Sequence, residues 1–245
     1  MSNINISSKA HIGNNVKIGE GSCIYDNVII EDDTFIGPHV IIGEPTSSYY
    51  KNPESHQNKK TVIGRNSIIR SHSIIYEDVI IGNNFQSGHH AIIRENTTIG
   101  DFSSFGSFSE TPGSSKIGNY VRIHSKVMLS ENNLIEDFVW IFPFVVLTNV
   151  KYPPIGDYQK THIKEFAQIF ANSTLLPGIT IGKNSIVGAG SLVASNVKDE
   201  QVVIGSPAKE VKSVRDILDD QGNRVYPWKN YLKEYRGYPW QKNDE

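Results

Sequence analysis

The sequence predicts an all-β chain wound into a parallel β-helix, and three observations predict it. The first is composition. In 245 residues, 32 Ile and 19 Val stand against 8 Leu, whereas Leu is ordinarily among the commonest residues and helical cores use it freely. An excess of β-branched side chains belongs to strands. The second is a period. Aliphatic residues recur every six positions from Ile12 through Ile18, Ile24, Ile30 and Ile36 to Ile42. They recur again from Ile63 to Leu147 with breaks only at Ser87 and Thr111, and again from Ile163 to Val193. The third is a companion phase four residues on (Val16, Ser22, Val28, Thr34, Val40; Ser67, Ser73, Val79; Ser173, Ile179, Ser185), where residues are mostly small or Val. A six-residue repeat with two inward positions and a turn defines a hexapeptide β-helix.

The elements follow in order. Coils begin near residue 5, and Gly after the apolar residue (Gly13, Gly19, Gly37, Gly64, Gly82) reads as a corner that needs a permissive backbone. The phase jumps from Ile42 to Ile63, expelling a polar loop near 44–60, and from Leu147 to Ile163, expelling a second near 150–162. Long loops leaving a regular solenoid are usually functional. The β-helix is expected to occupy residues 1–206. Residues 207–245 are expected to form a C-terminal unit, with a short helix over Val211 to Asp219 and an aromatic tail carrying Tyr-Pro-Trp at Tyr226 to Trp228 and Tyr238 to Trp240. That tail reads as a cap, since a solenoid end must be covered.

Charge and composition exclude several classes. A net charge of −2 excludes a strongly basic nucleic-acid binder. No apolar run approaches the roughly 18 residues of a membrane span, and Met1 to Ala10 shows no charged-then-apolar leader, so a cytoplasmic protein is expected. Cys23 stands alone, which excludes an internal disulfide and a cysteine-based metal cage.

Period and composition together resemble the left-handed parallel β-helix of the hexapeptide-repeat acyltransferases, over residues 5 to 210. In that fold three hexads make one triangular coil, so residues 18 apart stack about 4.8 Å apart along the axis. Gly205-Ser206-Pro207-Ala208-Lys209 is similar to the G-x-P-A-K segment that closes the coils of coenzyme A-dependent acetyltransferases. The resemblance implies acetyl-coenzyme A, or another acyl-coenzyme A, as co-substrate and no metal. It puts Ala189, Gly190, Pro207, Ala208 and Lys209 near the cofactor, with Lys209 a mobile charge suited to phosphate. Two further stretches narrow the family. Leu147-Thr148-Asn149-Val150-Lys151-Tyr152-Pro153 is similar to the T-N-D-K-Y-P segment of nucleotide-sugar N-acetyltransferases acting on 3-amino sugars, with Val150 where that family has an acidic residue. Ile93-Arg94-Glu95-Asn96 resembles their V-R-E-N segment. The implied reaction is transfer of an acyl group from the thioester to the amine of a dTDP- or UDP-linked amino sugar. The resemblance also implies a homotrimer with active sites between subunits.

The register gathers Arg70, His72, His89, His90, His124 and Lys126 into a polar, cation-capable strip. Arg70, His90, Arg94, Glu95, Ser125 and Asn149 are the candidate substrate-binding residues, and Trp140 a candidate lining of the acyl or pantetheine channel beside the Asn149 loop. The attacking amine must lose a proton, a task suited to His near neutral pH. His124 is the first choice of base, sharing its coil with Ser125, unless the departing thiolate takes the proton and no histidine is needed. His89 is the other candidate, at the third hexad position that carries the catalytic His of lipid A acyltransferases and 4-amino-sugar N-acetyltransferases, although His90 follows it where those have a carboxylate. Transfer to a sugar hydroxyl is the alternative reaction; the loop after Asn149 then offers only His162 as base. A third reading is a metalloenzyme, since Gly88 to Arg94 resembles the G-H-x-A-x-x-H stretch of γ-class carbonic anhydrases, with Arg94 in place of the second ligand. An arginine does not coordinate a cation.

Overall fold

A computed structural model describes residues 4–154 and 158–226. The chain winds as a three-faced, left-handed parallel β-helix of about 11 turns. Face A runs from Asn5–Ile6 through Ile74–Tyr76 to Glu110–Thr111. It continues across a single bridging residue, Met128, to Val146–Leu147, Thr174–Leu175 and Leu192–Val193. Face B has nine strands from His11–Ile12 to Thr180–Ile181. Face C begins at Lys17–Ile18 and is parallel up to Gln201–Gly205. Ladder partners are 18 residues apart within the regular coils, as in Ile75 with Ile93 and Ile99 with Ile117. The pairing jumps from Ile30 to Ile63 and from Ile135 to Ile163, so each insertion leaves between two strands and the ladder closes behind it.

The two inward phases behave as the pattern predicts. Ile24, Ile30, Ile36, Ile42, Ile63, Ile69, Ile75, Ile81 and Ile93 are essentially inaccessible and share one continuous core with Leu175, Ile181 and Val187. The small companion positions carry hydroxyls with a job. Ser73 Oγ donates to the Gly88 carbonyl at 3.1 Å and accepts from Ala91 N at 3.3 Å, and Ser109 does the same with His124 O (2.8 Å) and Val127 N (3.0 Å). Each buried hydroxyl thereby satisfies itself and ties one coil to the next.

The two breaks in the aliphatic phase are also accounted for. Ser87 accepts from Arg70 N (2.8 Å) and donates to Gly88 O (2.9 Å). Phe85 and Phe105, the two largest fully buried side chains, stand two residues before it and one coil above it. Two oversized neighbours beside one undersized residue keep the volume of the layer. Thr111 is fully buried and donates to Ser115 Oγ at 3.0 Å.

One expectation is corrected. The Gly that follows the apolar residue does not supply a left-handed corner, because Gly13, Gly19, Gly37, Gly64, Gly82, Gly88 and Gly106 all keep ordinary φ. It allows close approach instead: a Cβ on Gly88 would stand 2.1 Å from Ser107 N, and one on Gly106 would stand 2.2 Å from the carbonyl carbon of His124. The positive φ falls two residues later, on Asn66 and Asn84 but also on His90, Phe108 and Tyr120.

The C-terminal end corrects a second. Val211 to Asp219 is not a helix. After a two-residue turn at Ser206–Pro207, Ala208–Ser213 runs back antiparallel to Gln201–Gly205 as the last strand of face C. Only Val214–Asp216 makes a 3₁₀ turn, closed by a Ser213–Asp216 capping box. A strand here pairs the open edge that the final coil would otherwise present. Val214 then packs on Ile186 and Val202 with Phe170, Ile217 and Tyr226 around it, so the segment folds over the outside of face C as a cap. Trp228, Tyr238 and Trp240 of the expected aromatic tail lie outside the described residues.

Candidate functional site

The three corners of the triangular coil sort the candidate residues. The corner between faces C and A carries Arg70, His72, His89, His90, His124, Ser125 and Lys126, and further up the axis Ala189 and Gly190. The Gly205–Lys209 hairpin ends on this corner too, since Gly205 N reaches Ser191 Oγ at 3.2 Å and Ile204 sits above Gly188. His124 and that hairpin are four coils apart, about 19 Å. Histidine strip and G-S-P-A-K segment therefore share one edge.

Stacking organises this edge. The imidazoles of His39, His72 and His90 follow one another at 5.1 and 4.8 Å, and Phe108 continues the column 4.8 Å beyond His90. Lys126 and Phe144 extend it, with Lys126 Nζ 5.1 Å from the Phe144 ring centre. Within the column His72 titrates below an ordinary histidine, through lost hydration and then the like charges of His90 and His39.

His89 and His124 differ sharply. His89 is exposed; its Nδ1 lies 2.8 Å from Ser71 Oγ one coil below, and its backbone N–H donates to Ser107 Oγ at 2.9 Å one coil above. The ring is thus held by one nitrogen with the other directed away from that bond. His124 is half-buried, lying flat on Phe142 (5.0 Å, 9°) with Trp140 at 6.4 Å. Its Nε2 is enclosed and has no hydrogen-bond partner among the described residues. Burial, and then the Arg122 guanidinium, push its pKa below the ordinary value. Arg70 is also committed, because Nη1 donates to Ser87 O at 2.6 Å.

Arg94, Glu95 and Asn149 sit at a different corner, between faces A and B, where both insertions leave the solenoid. Arg94 grips Glu95 in a two-pronged pair (3.0 and 2.9 Å) and lies over the Tyr76 ring at 5.2 Å. His90 and Arg94 are separated by the width of face A, up to about 13 Å for four extended residues, so one chain does not bring Arg94 to the histidine strip. Trp140 is likewise displaced from the Asn149 loop: it lies on the outside of face C, where the Arg122 guanidinium covers its ring at 5.5 Å. The second insertion is described except for residues 155–157, and Asn149 O accepts from Gln159 N at 2.7 Å across its neck. His162 belongs to face B, where Nε2 meets Glu136 Oε1 at 2.6 Å.

The first insertion is clamped by a residue the sequence reading missed. Glu77 is buried and takes Thr46 N (2.9 Å), Thr46 Oγ1 (2.8 Å) and Lys59 N (2.8 Å), which secures both stems of the loop. Burial alone would raise its pKa, but these donors and His56 hold it below the ordinary value of 4.5. A lowered folded pKa means stabilisation that is present above the unfolded pKa and lost as pH falls through the folded one. Amide protection across residues 45–60, relative to intrinsic exchange at the same pH, should therefore fall on acidification below pH 4.5 while the coil cores stay protected. Loop protection that persists until the coils themselves unfold in acid would show that the clamp does not depend on the charge of Glu77.

Comparison with known proteins agrees with this architecture. The family model described as "Bacterial transferase hexapeptide (six repeats)" matches residues 9–44 and 160–195. Protein CapG of Staphylococcus aureus is 40% identical over 108 residues, covering 44% of this chain and 58% of that protein. The galactoside O-acetyltransferase of Lactococcus lactis is 28% identical over 107 residues, covering 40% and 52% respectively. The chain thus spans about half the length of these relatives. The crystal structure of Arabidopsis UDP-N-acetylglucosamine acyltransferase superposes with a TM-score of 0.69 at 15% identity, covering 96% of this chain and 79% of that one. Residues 9–44 and 160–195 thus match the bacterial transferase hexapeptide repeat, within a left-handed β-helix. Among the described residues no helix is long and apolar enough to cross a membrane.

Proposed function

We propose that the protein is an acyl-coenzyme A-dependent acyltransferase that works along the corner between faces C and A, and that its reaction is N-acetylation of a nucleotide-linked amino sugar. The observation that carries this is the sharing of one edge by the histidine strip and the closing Gly205–Lys209 hairpin. Between the two, the edge changes character. Residues in register with His89 become Pro143 and then Ala171, Ala189 and Gly205, and Gly190 has nothing within 4 Å of where a Cβ would stand. Small residues in line leave room for an extended pantetheine arm, and the exposed Lys209 suits a phosphate at its far end. Bound there, coenzyme A would supply the thioester as activated acyl donor.

The chain's own residues would then bind the acceptor and remove its proton. His89 is the better placed base. With Nδ1–H donated to Ser71 Oγ, Nε2 keeps its lone pair and points outward to accept a proton from the amine. His124, with Nε2 enclosed and its ring packed on Phe142, suits positioning of Ser125 rather than proton transfer. Arg94, Glu95 and Asn149 meet this strip only if a second chain presents its A–B corner to the first chain's C–A corner. The outward side of face A, with Ile41, Ile74, Ile92, Val146, Leu192 and the half-exposed Met128, offers an apolar surface for that association in a homotrimer.

Release of coenzyme A should be measured with dTDP- and UDP-linked amino sugars and with their hydroxyl counterparts. Turnover of at least one amine, with the hydroxyl analogues inert, is the expected result. Turnover of hydroxyl acceptors alone would replace N-acylation with the O-acetylation named for the Lactococcus relative.

A further inference from the structure

The first insertion holds a cluster that the proposed transfer does not use. Ser48 lies on the short helix Ser47–Lys51 with its side chain exposed, and its Oγ is 2.9 Å from His56 Nδ1. The other ring nitrogen of His56, Nε2, is 3.2 Å from Glu77 Oε1, and both side chains are almost wholly enclosed, at 8% and 3% exposure. We propose that Ser48, His56 and Glu77 form a nucleophile, base and orienting carboxylate that hydrolyse small carboxylic esters.

The distances and the roles agree with that assignment. A nucleophilic hydroxyl needs a base within about 2.6–3.2 Å, itself oriented by a third group. Glu77 is fixed independently of His56 by Thr46 N, Thr46 Oγ1 and Lys59 N, so it is an immobile anion rather than a wandering surface charge. That anion favours the tautomer with the proton on Nε2, which leaves Nδ1, at 2.9 Å, as the nearer of two acceptors for the Ser48 hydroxyl, the other being Thr46 Oγ1 at 3.1 Å. The Nε2 approach is close but oblique, an ion-pair contact rather than an aligned hydrogen bond. Such contacts commonly tighten only when the reacting molecule is bound. Tyr49 meets the imidazole edge-on at 5.7 Å and 80°, which sets the ring plane. Clamping the loop requires Glu77, Thr46 and Lys59, but it does not require the imidazole to reach an exposed hydroxyl. Tyr49 and the exposed Tyr50 flank Ser48, so a small acyl group on an aromatic alcohol fits the surroundings best.

The chemistry balances with water as the second reactant. Ser48 Oγ adds to the ester carbonyl carbon while its proton passes to Nδ1. The bond to the leaving oxygen then breaks, and the departing alcohol takes that proton, leaving an acyl-Ser48. Water, deprotonated by Nδ1, adds to the acyl carbon, the acid departs, and Ser48 recovers its proton.

The test uses the full chain with a fluorophosphonate probe and with p-nitrophenyl acetate, comparing the wild type with Ser48→Ala, His56→Gln and, as a neighbouring control, Ser47→Ala. Ser48→Ala removes a hydroxyl that also lies 3.1 Å from Thr46 Oγ1 but leaves the Glu77 contacts to Thr46 and Lys59 in place, and amide exchange across the loop checks that its fold is kept. Expected are labelling of the wild type mapped to Ser48, a loss of at least about 100-fold in hydrolysis for Ser48→Ala and for His56→Gln, and no change for Ser47→Ala. A wild type that neither labels nor exceeds the buffer rate, or a Ser48→Ala variant that keeps labelling and rate, overturns the proposal. Neither outcome bears on transfer from coenzyme A, which is measured separately.

Discussion

Replacing His89 with alanine is expected to lower kcat for acyl transfer by about 10²–10⁴-fold, the usual share of a general base, with little change in KM. The expectation rests on the contrast between two histidines of one strip. His89 is exposed, anchored through Nδ1 to Ser71 and free to present Nε2. His124 is stacked on Phe142, and its Nε2 is closed off. Loss of an interaction made only in the transition state lowers kcat and kcat/KM together, whereas loss of ground-state positioning raises KM. His124→Ala should therefore show mainly a raised KM and a lower melting temperature. Ser71→Ala should lower kcat by about tenfold, since an imidazole that loses its anchoring bond forfeits roughly 1–1.5 kcal/mol of orientation. Steady-state kinetics on the three variants decide it: a His89→Ala enzyme with near wild-type kcat removes His89 as the base, and a kcat collapse confined to His124→Ala transfers the role there.

How far the site was legible follows from its periodicity. The six-residue phase identified the faces and the inward positions, because burial in a solenoid depends only on place in the hexad. The site depends on place in the 18-residue coil, and hexad equivalence hides it. Arg70, His124 and Arg94 are all second in their hexads, yet 70 and 124 differ by a multiple of 18 and 94 does not, so Arg94 falls on another corner. The same count predicts Phe142 above His124 and Ser107 above His89, both observed. What escaped was whatever lies outside the period. Glu77 looks like an ordinary corner residue until the loop that folds onto it is known, and neither His56 nor Ser48 belongs to any repeat. The helix expected at Val211 to Asp219 failed for a related reason. Its local sequence did not contain the demand of an unpaired final edge, which tertiary pairing with Gln201–Gly205 satisfies.

Phe105→Ala is expected to cost about 3–5 kcal/mol, the usual range for truncating a fully buried aromatic, and the loss should stay local. Phe105 is 1% exposed and pairs in register with Ser87 below and Ile123 above. Because Ser87 is small and already committed to Arg70 N and Gly88 O, it cannot expand into the void from the coil below. The fully buried Phe85 is also constrained, since Ser67 Oγ on the coil below accepts its backbone N–H at 3.2 Å. Each coil touches only the next, so stability is approximately a sum of coil and interface terms. Amide protection should therefore fall first in coils 85–123 and least in those at Ile24–Ile42 and Ile169–Val187. Those weakened coils carry His89 and His124, so catalysis should fall at temperatures where far-ultraviolet circular dichroism still reports folded β-structure. Chemical denaturation and residue-resolved exchange on the variant check this. A cost under 1 kcal/mol, or a uniform loss of protection along the axis, would show that the layer of Phe85, Ser87 and Phe105 is not the complementary unit its packing describes.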